Sequence, residues 1–356
     1  LTVTRGLFTK DAIQWSKVYN LIGPAIGMND RSGTMQQPIK LAVYDKCRLP
    51  SLEGPALTYD ECADLRAQEI WEASKQLGRP IGIMWSGGID STMVVTSFLR
   101  QFSPAEIRDR VRIITSTEAT LENPRFYTDY IMPNFDFIVS EHTPWLFDGS
   151  IILVTGELND QLFGSDLTRF FLTSEGSDKI NSDLDKDFVF NYINEKIKQD
   201  KVTSVLVESI LNSSSSYGVT LEKNTDFFWW YNFCFKWQAV HFRLYALTFP
   251  RLVPGITADY DNKFIYHFFE TADFQRWSIR NPQVRYINDW KNYKFEAKKS
   301  IYAFDKDENY FKTKIKRPSL QTVFNHRLLN EAVTEDFEVL EKFNPLDYYN
   351  PNNNFR

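Results

Sequence analysis

Ser86, Gly87, Gly88, Ile89, Asp90 and Ser91 stand in a row in the sequence. Two glycines allow a tight backbone turn, and Ser86 and Ser91 add hydroxyls. The exposed peptide N–H groups of such a turn, with the N-terminus of a helix behind them, form a concave anion site suited to pyrophosphate or triphosphate. It is not a Walker A loop, because no lysine sits in the turn and the GxxxxGK[ST] spacing is absent. Asp90 is therefore the informative residue. A carboxylate beside a phosphate cradle makes electrostatic sense when a divalent cation such as Mg2+ bridges the two.

The elements needed to hold that turn are legible around it. Residues 81–85 read as a short buried strand and 91–102 as a helix. Apolar runs of strand length recur at 111–116, 135–140 and 151–156, and helix-compatible stretches separate the first three runs. This alternation predicts an α/β fold, a parallel sheet with flanking helices. Ahead of it, residues 58–77 carry apolar positions at helical spacing, with Thr58 and Glu61 in a capping-box pattern and Gly78 as a stop. A short amphipathic stretch at 11–22 and a Gly/Asp/Ser/Gln-rich segment at 27–38 come earlier still. Beyond 165 the period turns helical, which predicts a mainly helical C-terminal part with a helical stretch over 191–212. The four serines 213–216 read as a loop, and the Asn-rich end as a frayed tail. The aromatic run at 227–242 reads as buried helical core, with a pocket wall or a subunit interface as the other readings.

Composition narrows the classes. The 356 residues carry 41 Lys+Arg against 46 Asp+Glu, a net charge of −5, and a pI of about 5.6, which disfavours nucleic acid as a partner. No apolar run is long enough to span a bilayer, and no secretory signal is visible at the N-terminus. Cys47, Cys62 and Cys234 are too widely spaced for a disulfide framework or a cysteine zinc site. These features predict a cytoplasmic enzyme. His142, His241, His267 and His326 lack metal-ligand spacing; His142 is either a cleft residue or an ordinary loop histidine.

SGGIDS after a strand resembles the signature of the PP-loop ATP pyrophosphatases, most closely the synthetase domain of asparagine synthetase, with β-lactam synthetase a relative. A second landmark agrees: Thr155-Gly156-Glu157-Leu158-Asn159-Asp160-Gln161-Leu162-Phe163-Gly164 resembles the family's S-G-E-G-x-D-E-L-F-G-G, with Gln161 in place of the second acid. The weaker third landmark, Lys294-Phe295-Glu296-Ala297-Lys298 ahead of the basic segment 315–319, resembles the family's K-x-x-L-R element. A partial echo of R-V-P-F-L-D occurs at Arg251–Ile256, with Thr257 where the family has aspartate, and Asp259 or Asp261 as substitutes.

The resemblance implies an adenine nucleotide α-hydrolase-like, Rossmann-like core over 58–165. An N-terminal extension over 1–57 would precede it, a helical substrate-side region over 166–320 would complete the synthetase domain, and a tail would occupy 321–356. It implies ATP and Mg2+ as cofactors, with Ser86, Gly87, Gly88, Asp90, Ser91, Thr115, Gly156 and Glu157 around the nucleotide and Asp90 and Asp160 on the metal. The stretch 115–120 would lie against adenine, with Glu118 there or on the surface. Lys294 takes the catalytic lysine's place, with Lys298 or Lys299 as competitors, and Glu157 orients the amine or accepts its proton. The expected reaction is adenylation of a small-molecule carboxylate, aspartate among the candidates, followed by transfer of ammonia or an amine. Only 80 residues precede the first strand, too few for the family's glutaminase domain, so the nitrogen would come from free ammonia, a separate glutaminase subunit or an amine. Two other readings are a PP-loop enzyme that adenylates a nucleobase or other metabolite, and a nucleotide-binding protein without turnover.

Overall fold

The computed structural model describes residues 30–33, 48–139, 148–164, 167–198, 200–237, 240 and 262–316. The sequence features at 11–22, 251–261 and 317–356, together with Cys47, His142, His241 and His326, lie outside the described residues. Two compact units divide the chain. A sheet unit comprises Leu57–Gly156, Lys263–Phe269 and Trp290–Arg356, and a helical unit takes Leu1–Ala56, Glu157–Asn262 and Glu270–Asp289.

In the sheet unit, β1 (Ile81–Met84), β2 (Val111–Thr115), β3 (Asp136–Val139), β4 (Ile152–Thr155) and β5 (Ile265–His267) form one sheet in the order β3-β2-β1-β4-β5. Every pairing is parallel, with Ile81 opposite both Val111 and Ile152. The central strands are buried on both faces (Ile81, Ile83, Ile113, Ile152 and Val154 are fully covered), which is why they read as continuous apolar runs rather than alternations. Strand order reverses between β1 and β4, and in open α/β sheets the crevice outside the carboxyl ends at such a reversal is where ligands bind. β5 had no counterpart in the sequence reading. At three residues it is too short to carry a period, and it exists because β4 offers it an edge.

Helices cover the sheet as expected. Thr58 caps the helix Tyr59–Leu77 in a complete capping box with Glu61, and Gly78 ends it at φ 62°. The helix Ile89–Gln101 follows β1 and buries Met93, Val94, Val95 and Phe98 completely. Arg100 on that helix reaches Asp64 at 2.5 Å and the Ser300 hydroxyl at 2.6 Å, so it joins the helix Tyr59–Leu77 to the helix Phe295–Asp305.

In the helical unit the aromatic run is core. Phe227 through Phe235 are all buried, first in the helix Asn224–Trp230 and then in a π-helical turn, Tyr231–Phe235. Two of its indoles are satisfied: Trp229 Nε1 donates to Ser278 Oγ at 3.2 Å, and Trp230 Nε1 donates to Ser213 Oγ at 2.7 Å. The serine run is not a loop. The helix Asp200–Tyr217 continues through it, because the hydroxyls of Ser213 and Ser214 donate to the carbonyls of Ile210 and Leu211 and so find partners inside the helix. Gly218, at φ 84°, follows its last residue. The stretch 191–212 is two helices rather than one, Lys186–Ile197 and Asp200–Tyr217, with Lys198 in the left-handed region between them. Among the described residues, no helix is long and apolar enough to cross a membrane.

One carboxyl group in the sheet unit makes stability depend on pH. Burial pushes Asp305 up to about 6, helped by the neighbouring Asp307 charge and opposed by the hydrogen bond from Asp307 N–H. The folded protein therefore holds this proton more tightly than the unfolded chain, whose carboxyl titrates near 4. The resulting stabilisation is complete below pH ~4 and is lost as pH rises through ~6, amounting to roughly 2–3 kcal/mol. Asp305→Asn, which mimics the neutral form, should raise stability over wild type by about 2 kcal/mol at pH 7.5 and by little at pH 4.5 in urea melts. An equal gain at both values would remove Asp305 from this role.

Candidate active site

The chain leaves β1 through Trp85, whose N–H bonds to Ile114 O at 2.9 Å and whose carbonyl accepts the Thr115 hydroxyl at 3.0 Å. Thr115, assigned to the nucleotide by resemblance, thus pins the end of β1 through its side chain. The next residues turn sharply. Gly87 has φ 75°, and a Cβ there would lie 2.4 Å from Ala119 O and 2.8 Å from Glu122 Cβ, so the position requires glycine. Ser86 N–H donates to Ser91 Oγ at 3.1 Å, the two hydroxyls lie 3.1 Å apart, and Gly88 N–H points to Ser86 Oγ at 3.4 Å. Both serines therefore brace the turn from within. Gly88 is the N-cap of the following helix and supplies no capping side chain, so the first helical N–H groups are not taken by a local cap.

The end of β4 closes on this turn. A Cβ on Gly156 would meet Ser91 N at 3.0 Å and the Asp90 backbone carbon at 3.1 Å, so the backbone approach depends on the missing side chain. Asp90 sits in the first helical turn, where a carboxylate is favoured by the helix dipole.

Lys294 comes from 204 residues away, and its Nζ lies 2.6 Å from each oxygen of Asp90. The lysine side chain is completely buried and the aspartate is 17% exposed. Lys294 is the N-cap of the helix Phe295–Asp305 and holds φ 58°, a left-handed conformation that a non-glycine residue adopts at a cost of about 1 kcal/mol or more. Lys316, from the basic segment, adds a second ammonium 3.6 Å from Asp90 Oδ2. Of the three lysines offered for the third landmark, Lys294 is the one whose ammonium lies at Asp90.

Lys298 does not join them. It is buried and donates to the carbonyls of Lys291 at 2.8 Å and Lys314 at 3.0 Å. Lys299 is on the surface, 3.5 Å from Glu296. Two residues that sequence reasoning missed lie next to the turn. Glu122 Oε1 accepts from Lys314 Nζ at 3.0 Å, with both side chains buried to within 4%. Lys314 and Lys316 flank Ile315 at the edge of the flagged basic segment, a usable signal; Glu122 carried none.

Glu157 and Asp160 belong to the helical unit. Glu157 directly follows Gly156, and Asp160 lies in the first turn of the short helix Asn159–Phe163, which Leu158 opens at φ 75°. Both are half-buried. Gln161, where the resembled family has an acid, is buried and donates to Asn232 Oδ1 at 3.3 Å. A carboxylate there could not make that bond. His267 is buried at the end of β5, its Nδ1 2.6 Å from the Thr155 hydroxyl, a link between β4 and β5.

Among the described residues, no group of three or more His, Cys, Asp or Glu side chains is arranged around a common point. Mg2+ commonly takes one or two carboxylates and completes its shell with water and substrate phosphates; Asp90 offers one carboxylate, and both of its oxygens contact the Lys294 ammonium. No family model, curated protein or solved structure matches the chain.

The ion pair makes an asymmetric prediction. Asp90→Ala removes both carboxylate oxygens from a fully buried ammonium and should cost about 3 kcal/mol of stability. Lys294→Met leaves a partly exposed carboxylate with Lys316 at 3.6 Å and should cost clearly less. Urea midpoints of the two variants check the order.

Proposed function

We propose that the chain is an ATP-dependent, amide-forming enzyme of the asparagine-synthetase-like PP-loop class, built on an adenine nucleotide α-hydrolase-like, Rossmann-like sheet. The observation that carries this reading is the contact of Lys294 with both oxygens of Asp90. It brings together two sequence landmarks far apart in the chain, at the carboxyl end of β1 where the strand order reverses. A glycine turn with uncapped helical N–H groups, a carboxylate and buried ammonium groups together suit a metal-bound polyphosphate.

In this reading the turn's N–H groups take the departing pyrophosphate of ATP, and Asp90 would hold Mg2+. The cation, when bound, neutralises phosphate charge. A substrate carboxylate oxygen attacks the α-phosphorus; the bond to the bridging oxygen breaks, and pyrophosphate leaves as an acyl-adenylate forms. Lys294 stabilises the negative charge that accumulates on the α-phosphate oxygens. Ammonia or an amine then attacks the acyl carbon and AMP leaves, while Glu157 takes the surplus proton. Aspartate is one carboxylate to test, and the cytoplasm the compartment.

Pyrophosphate release, followed with amino acids and ammonium as co-substrates and with mass spectrometry of the products, tests the reading. Wild type should yield pyrophosphate and AMP in equal amounts with one carboxylate. Asp90→Asn should abolish Mg2+-dependent turnover, and Lys294→Ala should slow adenylation about 100-fold, the ~3 kcal/mol of a single transition-state donor. ATP cleavage to ADP and phosphate would overturn the assignment.

A further inference from the structure

Glu122 sits beside the glycine turn, where one of its oxygens is the counter-charge of the buried Lys314. A Cβ on Gly87 would lie 2.8 Å from Glu122 Cβ, and one on Gly88 would lie 3.5 Å from Glu122 Oε1. That oxygen accepts from Lys314, but Oε2 is buried and has no hydrogen-bond partner. A buried ion pair gains little stability over apolar packing, and an unsatisfied buried acceptor costs more. A negative charge against an anion-binding turn also weakens the binding of any anion there, so packing and anion affinity both disfavour it.

The charges around the turn give it a purpose. Lys314 and Lys316, two apart on an extended stretch, meet Glu122 and Asp90 respectively. The stretch is held by donors to its carbonyls, Lys298 Nζ to Lys314 at 3.0 Å and Trp290 Nε1 to Lys316 at 3.0 Å. With Lys294, three ammonium groups face two carboxylates, a net charge of about +1. Without Glu122 the balance would be about +2, and the turn would bind a bare polyphosphate more tightly.

We infer that Glu122 is a specificity-determining residue: its charge lowers the affinity of the turn for metal-free polyphosphate more than for a metal-bound nucleotide. This rests on the nucleotide reading above. The effect is Coulombic across a few ångströms of partly buried protein, where one unit charge changes affinity by roughly tenfold or more. A metal-bound nucleotide carries less net charge and responds less.

Calorimetric titration of the full chain with ATP in EDTA and with MgATP tests this. Wild type sets the reference ratio of MgATP affinity to metal-free ATP affinity. Glu122→Gln, which keeps the shape and loses the charge, should bind metal-free ATP about tenfold more tightly than wild type while its MgATP affinity moves less than threefold. A structural lesion would instead weaken both. Glu122→Asp should behave as wild type. Should Glu122→Gln fail to fold, the double variant Glu122→Gln/Lys314→Met, which keeps the net charge, should fold and restore wild-type discrimination. Unchanged or weaker binding of metal-free ATP by folded Glu122→Gln, or discrimination lost in the double variant, overturns the inference while leaving the nucleotide reading intact. Failure of wild type to bind ATP in either buffer overturns the nucleotide reading and this inference with it.

Discussion

A buried ammonium must keep its counter-charge, and in this chain the counter-charge of Lys294 is the carboxylate of Asp90, 2.6 Å away at both oxygens. Much of the sheet unit can be understood as the apparatus that makes this contact. β1 must end at the point where the glycine turn lifts Asp90 into the first turn of its helix, and Thr115 fixes that end from the neighbouring strand. Gly156 must lack a side chain so that β4 can close beside Asp90. Arg100 and Ser300 must tie the two helices that carry the ion pair, or the lysine would have no fixed origin.

Leu158, Lys198, Lys294 and Lys306 are the non-glycine residues with positive φ among the described residues, and one of them, Lys294, carries the ion pair. Gly87 stands at φ 75° and Lys294 at φ 58°, while the helix Tyr59–Leu77, remote from the turn in sequence, ends on a conventional left-handed glycine. A glycine in that region costs little, but a buried lysine there is a conformational expense that local sequence does not demand. It is held because the ion pair and the helix behind it determine the backbone more strongly than its own preference does. Strained positions of this kind cluster at functional sites, and here strain, buried charge and the reversal of strand order coincide.

What sequence could reveal divides along the range of the interactions. The first four strands, the capped helix from Thr58 and the turn at Gly87 and Gly88 are local patterns, and they were readable because each is set by neighbours a few residues away. The serine run was misread because serine favours loops only when its hydroxyl has no better use. Ser213 and Ser214 use theirs within the helix, and Ser213 also serves Trp230 from across the core. β5 was invisible because its strand character comes from β4. Glu122 and Lys314, separated by 192 residues, meet only in the folded chain, and neither stretch carries a spacing that announces the other.

The two lysines of the third landmark show why spacing alone cannot assign a role. Residues four apart share a face of a helix, so Lys294 and Lys298 would be equivalent if both were helical. Lys294 is not. It is the left-handed N-cap, and its backbone turns the side chain off the helical face towards Asp90. Lys298 is the first of the pair to obey helical geometry, which tilts its side chain back towards the N-terminus and onto the carbonyl of Lys291. Its ammonium also reaches the carbonyl of Lys314, so one cation on the helix fixes the stretch that delivers two more. A single change of backbone conformation at one residue thus separates a lysine at the turn from a lysine that holds the scaffold.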